Sequence, residues 1–150
     1  MSQIPRSALL LGLLGVLPFA WGVLTMLQQD LSDVTIRVIG PRFVGPYVQL
    51  FYGAVILSFM SGVLWGFATR ANGKQATLGY IFSVLPALWA FFTTGGGEET
   101  AAQNLILGFL GLLMLDWYFH RKQLTPAWWM SLRVLLTTLV VIFLGLGAMI

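Results

Sequence analysis

The sequence has no cysteine and only one histidine, His120. Without cysteine there can be no disulfide, thiolate metal site or cysteine nucleophile, and a lone histidine leaves little to ligate a metal or haem. The chain also lacks an HExxH zinc motif, a Walker phosphate loop and a GxGxxG fingerprint that opens a helix. We therefore expect a non-enzymatic protein without a cofactor, and we assign no catalytic or metal site.

Charged residues are scarce too: they make up 9% of the 150 residues, against 58% for hydrophobic residues. A soluble domain carries about 25% charged residues, so this chain has too few of them to build a water-facing surface. The lipid bilayer must contact most of that surface instead. The net charge of +3 comes from basic residues scattered over the connections between apolar runs, so no nucleic-acid partner is expected.

Charges and turn residues divide the chain into apolar runs that can each cross about 30 Å of hydrocarbon. The predicted spans cover residues 8–27, 47–69, 76–93, 101–119 and 126–149. Because backbone amides cannot stay unpaired in lipid, every span should be a helix. We predict an all-α membrane protein, a compact bundle of five transmembrane helices in one domain, residues 1–150. Pro18 and Pro86 should kink spans one and three, and Pro126 should open the fifth helix.

Residues 28–46 form the one long connection, with turns at Gly40-Pro41 and Gly45-Pro46. Its middle, residues 34–39, is compatible with a short strand or with a segment lying in the membrane interface. Periodicity over so few residues does not choose between the two structures.

Basic residues are distributed unequally between the two ends of the predicted bundle. One end carries Arg6, Arg70, Lys74, Arg121 and Lys122, and the other carries Arg37 and Arg42. The positive-inside rule therefore predicts a cytoplasmic N-terminus, an extracytoplasmic C-terminus and an outer location for residues 28–46.

Two ionisable residues lie inside apolar spans: Asp116 in span four and Arg133 in span five. Both should lie about 7–10 Å from the turn that the two spans share, at 1.5 Å per residue. We expect them to pair, and the first interpretation is structural. A binding or proton-relay site and an independent contact of Arg133 with lipid phosphate are the alternatives.

Other polar and aromatic groups flank the same turn. His120 shares a helix face with Asp116, so a proton could pass between them, although a solvated histidine is the simpler interpretation. Four aromatic residues flank this turn: Trp117, Tyr118, Trp128 and Trp129. The tryptophans should anchor the chain at the headgroup level, and their alternative role is to frame a quinone or lipid pocket.

Span two carries small residues at every fourth position: Ala54, Ser58, Gly62 and Gly66. Such a face lets two helices approach closely, and in lipid that packing drives association. The favoured interpretation is packing against another span of the same chain, and the alternative is docking of another membrane subunit.

Several segments together carry a family resemblance. They are residues 15–19 (GVLPF), residues 52–59 (YGAVILSF), Gly62, Trp65-Gly66, Leu115-Asp116, and residues 126–128 with Arg133. This set resembles the domain-of-unknown-function family numbered 3429, which includes the mitochondrial transmembrane protein 69 group, over nearly the whole chain. Where that family often has a second glycine and a histidine before the tryptophan, this chain has Ser61-Gly62-Val63-Leu64-Trp65, so no histidine ligand is expected there.

The resemblance implies an inner-membrane location and no assigned reaction. We expect a multi-pass protein of the bacterial inner (plasma) membrane that acts as an accessory or assembly subunit of a larger membrane complex. The alternatives are a carrier or channel for a proton or small molecule, and a protein that binds a quinone or lipid.

Overall fold

The computed structural model describes residues 3–150, which are helical and contain no strand. The helices, in chain order, are α1 (Arg6–Leu14), α2 (Leu17–Leu27), α3 (Gln29–Val38), α4 (Tyr47–Ala68), α5 (Gly73–Thr93), α6 (Glu98–Arg121) and α7 (Trp129–Met149). With α1 and α2 taken together, five segments are long and apolar enough to cross a membrane. The predicted all-α class with five spans is therefore confirmed.

The first span is broken into α1 and α2 at Gly15 and Val16. The amide of Val16 bonds to the carbonyl of Leu13, and that of Phe19 bonds to the carbonyl of Val16, each at 3.0 Å and three residues back. Pro18 has no amide to offer the preceding turn. The predicted bend is thus a break that lies one turn before the proline.

Residues 28–46 are mostly helical, which corrects the strand considered for residues 34–39. The segment contains α3 and a 3₁₀ turn at Pro41–Phe43. Asp30 lies in the first turn of α3 and Arg37 in its last turn. Both charges interact favourably with the helix dipole. Helical hydrogen bonds satisfy the backbone of this segment without any partner strand.

The fifth span begins later than the predicted Pro126. In the structure α7 starts at Trp129, whose amide donates to the carbonyl of Pro126 at 3.1 Å. Pro126 therefore belongs to the turn that precedes the helix.

A glycine turn precedes the first residue of α6. Gly96 and Gly97 have φ angles of 118° and 111°, a left-handed conformation that glycine adopts without strain.

The apolar core is formed mainly by α4 and α6, with further side chains from α2, α5 and α7. Helix α4 packs on α2, α5 and α6, helix α6 packs also on α5 and α7, and α7 contacts α1 and α2. The large apolar side chains that are fully buried include Phe19, Leu57, Leu64, Leu105, Phe109, Leu112, Phe119 and Leu144. The outer sides of the spans expose large apolar side chains, such as Phe91 at 78% and Met114 at 72%, as a lipid-facing surface does.

A serine of α4 bonds to the backbone of α5 beside Pro86. Ser61 accepts a hydrogen bond from the amide of Ala87 at 3.2 Å and donates to the carbonyl of Ser83. In an undisturbed helix that amide and that carbonyl pair with each other. Ser61 therefore joins the two helices where the proline interrupts α5, as side chains commonly do in membrane helices.

Gln49 is a buried amide that links three spans. Its Nε2 donates to the carbonyl oxygens of Phe19 at 2.9 Å and Phe143 at 3.0 Å. A Cβ added at Gly22 of α2 or at Gly147 of α7 would overlap the Gln49 side chain. The two glycines therefore make room for an amide that ties α4 to α2 and α7. No pattern in the sequence indicated this residue.

Replacing Gln49 with leucine should destabilise the bundle. The substitution keeps the volume but removes two interhelical hydrogen bonds, each of which contributes about 0.6 kcal/mol in membrane proteins. We expect the free energy of unfolding, measured by denaturing-detergent titration from bicelles, to fall by about 1–2 kcal/mol. Gln103→Leu is the control, since Gln103 is exposed and bonds within α6 to Glu99. Equal stabilities for the two variants would contradict the role of Gln49.

Candidate functional site

Asp116 of α6 and Arg133 of α7 form an ion pair inside the bundle. Nε of Arg133 donates to Oδ2 of Asp116 at 2.7 Å, and the two side chains are 5% and 0% exposed, respectively. Helices α6 and α7 are neighbours joined by a short turn, so both residues reach the same depth. The predicted pair is present, and it uses one hydrogen bond to arginine rather than a bidentate pair.

The second carboxylate oxygen of Asp116 pairs with Trp129. The indole Nε1 donates to Oδ1 of Asp116 at 2.9 Å, and the guanidinium carbon of Arg133 lies 6.0 Å from the centroid of the Trp129 ring. Both oxygens therefore have a donor, which a charged carboxylate needs in a buried position. Trp129 is buried, so its predicted role as a headgroup anchor is wrong. The sequence signal for its contact with Asp116 is its position four residues before Arg133, on the same helix face.

The remaining residues of the predicted site lie around the pair without joining it. Nδ1 of His120 lies 2.6 Å from the hydroxyl of Thr125, while both Asp116 oxygens are taken by other donors. Trp117 is 55% exposed and has the guanidinium of Arg121 over its ring. Trp128 is half-buried against Trp129, with 6.0 Å between ring centroids. The structure thus brings together Asp116 and Arg133 from the predicted set.

Most of the small-residue face of α4 points away from the rest of the described chain. Ser58, Gly62 and Gly66 are exposed, and Ala54 is half-buried. A Cβ added at Gly62 or Gly66 would meet no atom of the described residues within 4 Å. The favoured interpretation, packing of this face against another span of the same chain, is therefore wrong.

Helix α4 packs inward through a different set of residues. Gly53, Leu57, Ser61, Leu64 and Ala68 are buried on that side. The close approach involves Ala68 and Gly79 of α5, where an added Cβ at Gly79 would lie 2.9 Å from the Cβ of Ala68. Spacing by four identified a face of small residues on α4. The helix packs on its neighbours through another face, which combines small residues with leucines.

Comparison with known proteins finds a matching family and similar curated proteins. Residues 4–149 match the family described as "Protein of unknown function (DUF3429)". Transmembrane protein 69 of Xenopus tropicalis is 32% identical over 154 residues, which cover 100% of this chain and 56% of that protein. Transmembrane protein 69 of Mus musculus is 28% identical over 137 residues, covering 89% and 51%. The chain therefore spans about half the length of these relatives, and no solved structure matches it.

The ion pair predicts a specific pattern of stabilities. Asp116→Asn and Arg133→Leu should each lower the free energy of unfolding by about 3 kcal/mol or more, since each leaves an uncompensated buried partner. The double variant should recover part of that loss, with a coupling of about 1–3 kcal/mol in bicelles.

Arg121→Leu serves as the control for loss of a cation near the same turn. Arg121 is exposed, so this change should shift the unfolding free energy by less than about 0.5 kcal/mol. Additive effects of the two buried substitutions would show that Asp116 and Arg133 do not interact.

Proposed function

The chain belongs to the DUF3429 family and is a multi-pass membrane protein, and we propose that it acts as a non-enzymatic accessory or assembly subunit of a larger membrane complex. The observation that carries this proposal is the outward-facing small-residue face of α4. That face, formed by Ala54, Ser58, Gly62 and Gly66, is hereafter called the α4 face.

The α4 face has the chemistry of a helix-docking surface. Gly62 and Gly66 have open space above them, so the backbone of a second helix could approach α4 closely. The hydroxyl of Ser58 already donates to the carbonyl of Ala54 at 2.8 Å, so covering it would leave no unpaired donor. Dispersion contacts at such close approach drive helix association in lipid.

Internal packing does not account for the small residues of this face. Glycine costs about 1 kcal/mol relative to alanine in a helix interior, and within residues 3–150 nothing packs closely on Gly62 or Gly66. The apolar side chains of Phe59 and Trp65 are exposed beside the two glycines. They could contact a partner helix that packs on Gly62 and Gly66. A partner helix supplies the physical reason for two glycines at these positions.

The bacterial inner membrane is the proposed location. The resemblance to an inner-membrane family and the excess of basic residues at one end of the bundle both support it. With the N-terminus in the cytoplasm, Gly62 and Gly66 lie in the cytoplasmic half of α4, because α4 ends at that side.

A bulky residue on the α4 face should remove the partner without damaging the fold. Gly62→Leu places a side chain in open space, so the variant should unfold like the parent. Overpacking against a partner helix costs about 1–3 kcal/mol, which reduces the co-purified subunit in mild detergent about tenfold.

Gly145→Leu on α7 is the matched control, because a Cβ there also meets no described atom within 4 Å. It should retain the partner subunits at the level of the parent. If Gly62→Leu co-purifies the same subunits as Gly145→Leu in equal amount, the α4 face is not the docking surface.

A further inference from the structure

A cavity of about 220 Å³ lies beside the ion pair and is lined by residues of α1, α2, α4, α6 and α7. Its walls are mostly apolar and include Leu11, Phe19, Ile56, Phe109, Leu136 and Val140. Two polar side chains line it, Arg133 and Thr137. An apolar cavity of about 150 Å³ is large enough to hold benzene, so this one has room for a substituted ring or the head of a lipid.

The two polar side chains of this cavity each have an atom without a partner. Nη2 of Arg133 and Oγ1 of Thr137 are buried and make no hydrogen bond within residues 3–150. The residues are only 5% and 3% exposed, and their spacing of four places them on one face of α7. Buried polar groups are almost always paired, so these two atoms are donors without an acceptor in the described chain, on residues that line the cavity.

The charge of the cavity favours a neutral acceptor over an anion. Asp116 already neutralises Arg133 through Nε, so a carboxylate or phosphate in the cavity would be an uncompensated charge in apolar surroundings. A carbonyl oxygen would accept from the free end of the guanidinium and from the hydroxyl of Thr137 without adding charge.

The cavity is open to molecules dissolved in the bilayer. Leu11 and Phe59 line it and are 69% and 65% exposed, so its mouth lies on the lipid-facing surface. Gly12 and Gly15 also line it, where the break in the first span leaves backbone without side chains. Arg133 and Thr137 lie about 6 Å and 12 Å from the start of α7, at 1.5 Å per residue, within the depth of acyl chains.

We propose that this cavity binds a lipid-soluble molecule through a neutral carbonyl oxygen, which Arg133 and Thr137 hold while the apolar remainder extends into lipid. Two sources offer that chemistry: the ring of a quinone and the ester of a glycerolipid. Phe59 borders both the cavity and the α4 face, but Ser58, Gly62 and Gly66 do not line the cavity. Substitutions at Thr137 therefore test ligand binding separately from docking at the α4 face.

Binding should be measured on the purified full chain in neutral detergent micelles, by the saturable rise of its unfolding temperature. The probes are a decyl-substituted 1,4-benzoquinone, decyl acetate, decanoate and undecane. At least one of the two carbonyl probes should raise the unfolding temperature saturably. The quinone and the ester then distinguish the two sources. Undecane and decanoate should have no saturable effect.

Thr137→Val tests the contact itself, because it keeps the shape and the ion pair while removing the unpaired hydroxyl. The variant without ligand should be at least as stable as the parent, since it no longer buries an unpaired polar group. Its apparent Kd for the effective probe should rise about fivefold, as loss of one hydrogen bond predicts.

Thr138→Val is the matched control, because Thr138 is exposed and bonds to the carbonyl of Val134 on its own helix at 2.7 Å. It should bind the probe like the parent. The proposal is overturned if neither carbonyl probe binds, if undecane or decanoate binds as tightly as the carbonyl probes, or if Thr137→Val keeps the affinity of the parent.

Discussion

A buried carboxylate must have hydrogen-bond donors for its oxygens, and the donors of Asp116 determine how α7 packs on α6. Oδ2 accepts from Arg133 and Oδ1 accepts from Trp129, so a single carboxylate fixes two residues in the first turns of α7. Helix α7 is thereby held to α6 at a defined depth and rotation. Arg133 also lines the cavity together with Thr137. In our proposal, one arginine therefore has both a structural and a binding role.

The remaining contacts between spans follow the same principle. Lipid is as apolar as a leucine side chain, so close approach and hydrogen bonds must hold the helices together. Gln49 bonds to the carbonyls of Phe19 and Phe143, and Ser61 bonds to α5 beside Pro86. Each of these side chains reaches backbone on a neighbouring span. Within residues 3–150 the α4 face has small residues but no such neighbour, which is why we propose a partner there.

The sequence predicts most of the fold because unpaired charges are costly in hydrocarbon, so most charges lie between the spans and mark their ends. It also predicts the ion pair, since Asp116 and Arg133 are equally distant from one short turn. The sequence does not predict which side of a helix packs on a neighbour. Gly62 and Gly79 look alike in sequence, but of the two only Gly79 faces a neighbouring helix within the described residues. Gln49 was missed for the same reason, since its partners are backbone carbonyls on distant spans. Residues 29–38 are helical, but this segment is too short for its periodicity to predict a helix from sequence.

The most direct test of the ion pair is nuclear magnetic resonance of the arginine Nε–H groups in micelles. The chain has six arginines, and the guanidinium Nε of Arg133 is buried against a carboxylate. We predict one Nε–H resonance that exchanges slowly with water, that disappears in Arg133→Lys, and that exchanges rapidly in Asp116→Asn. Rapid exchange of all six resonances in the parent protein would contradict a buried, carboxylate-bound Arg133.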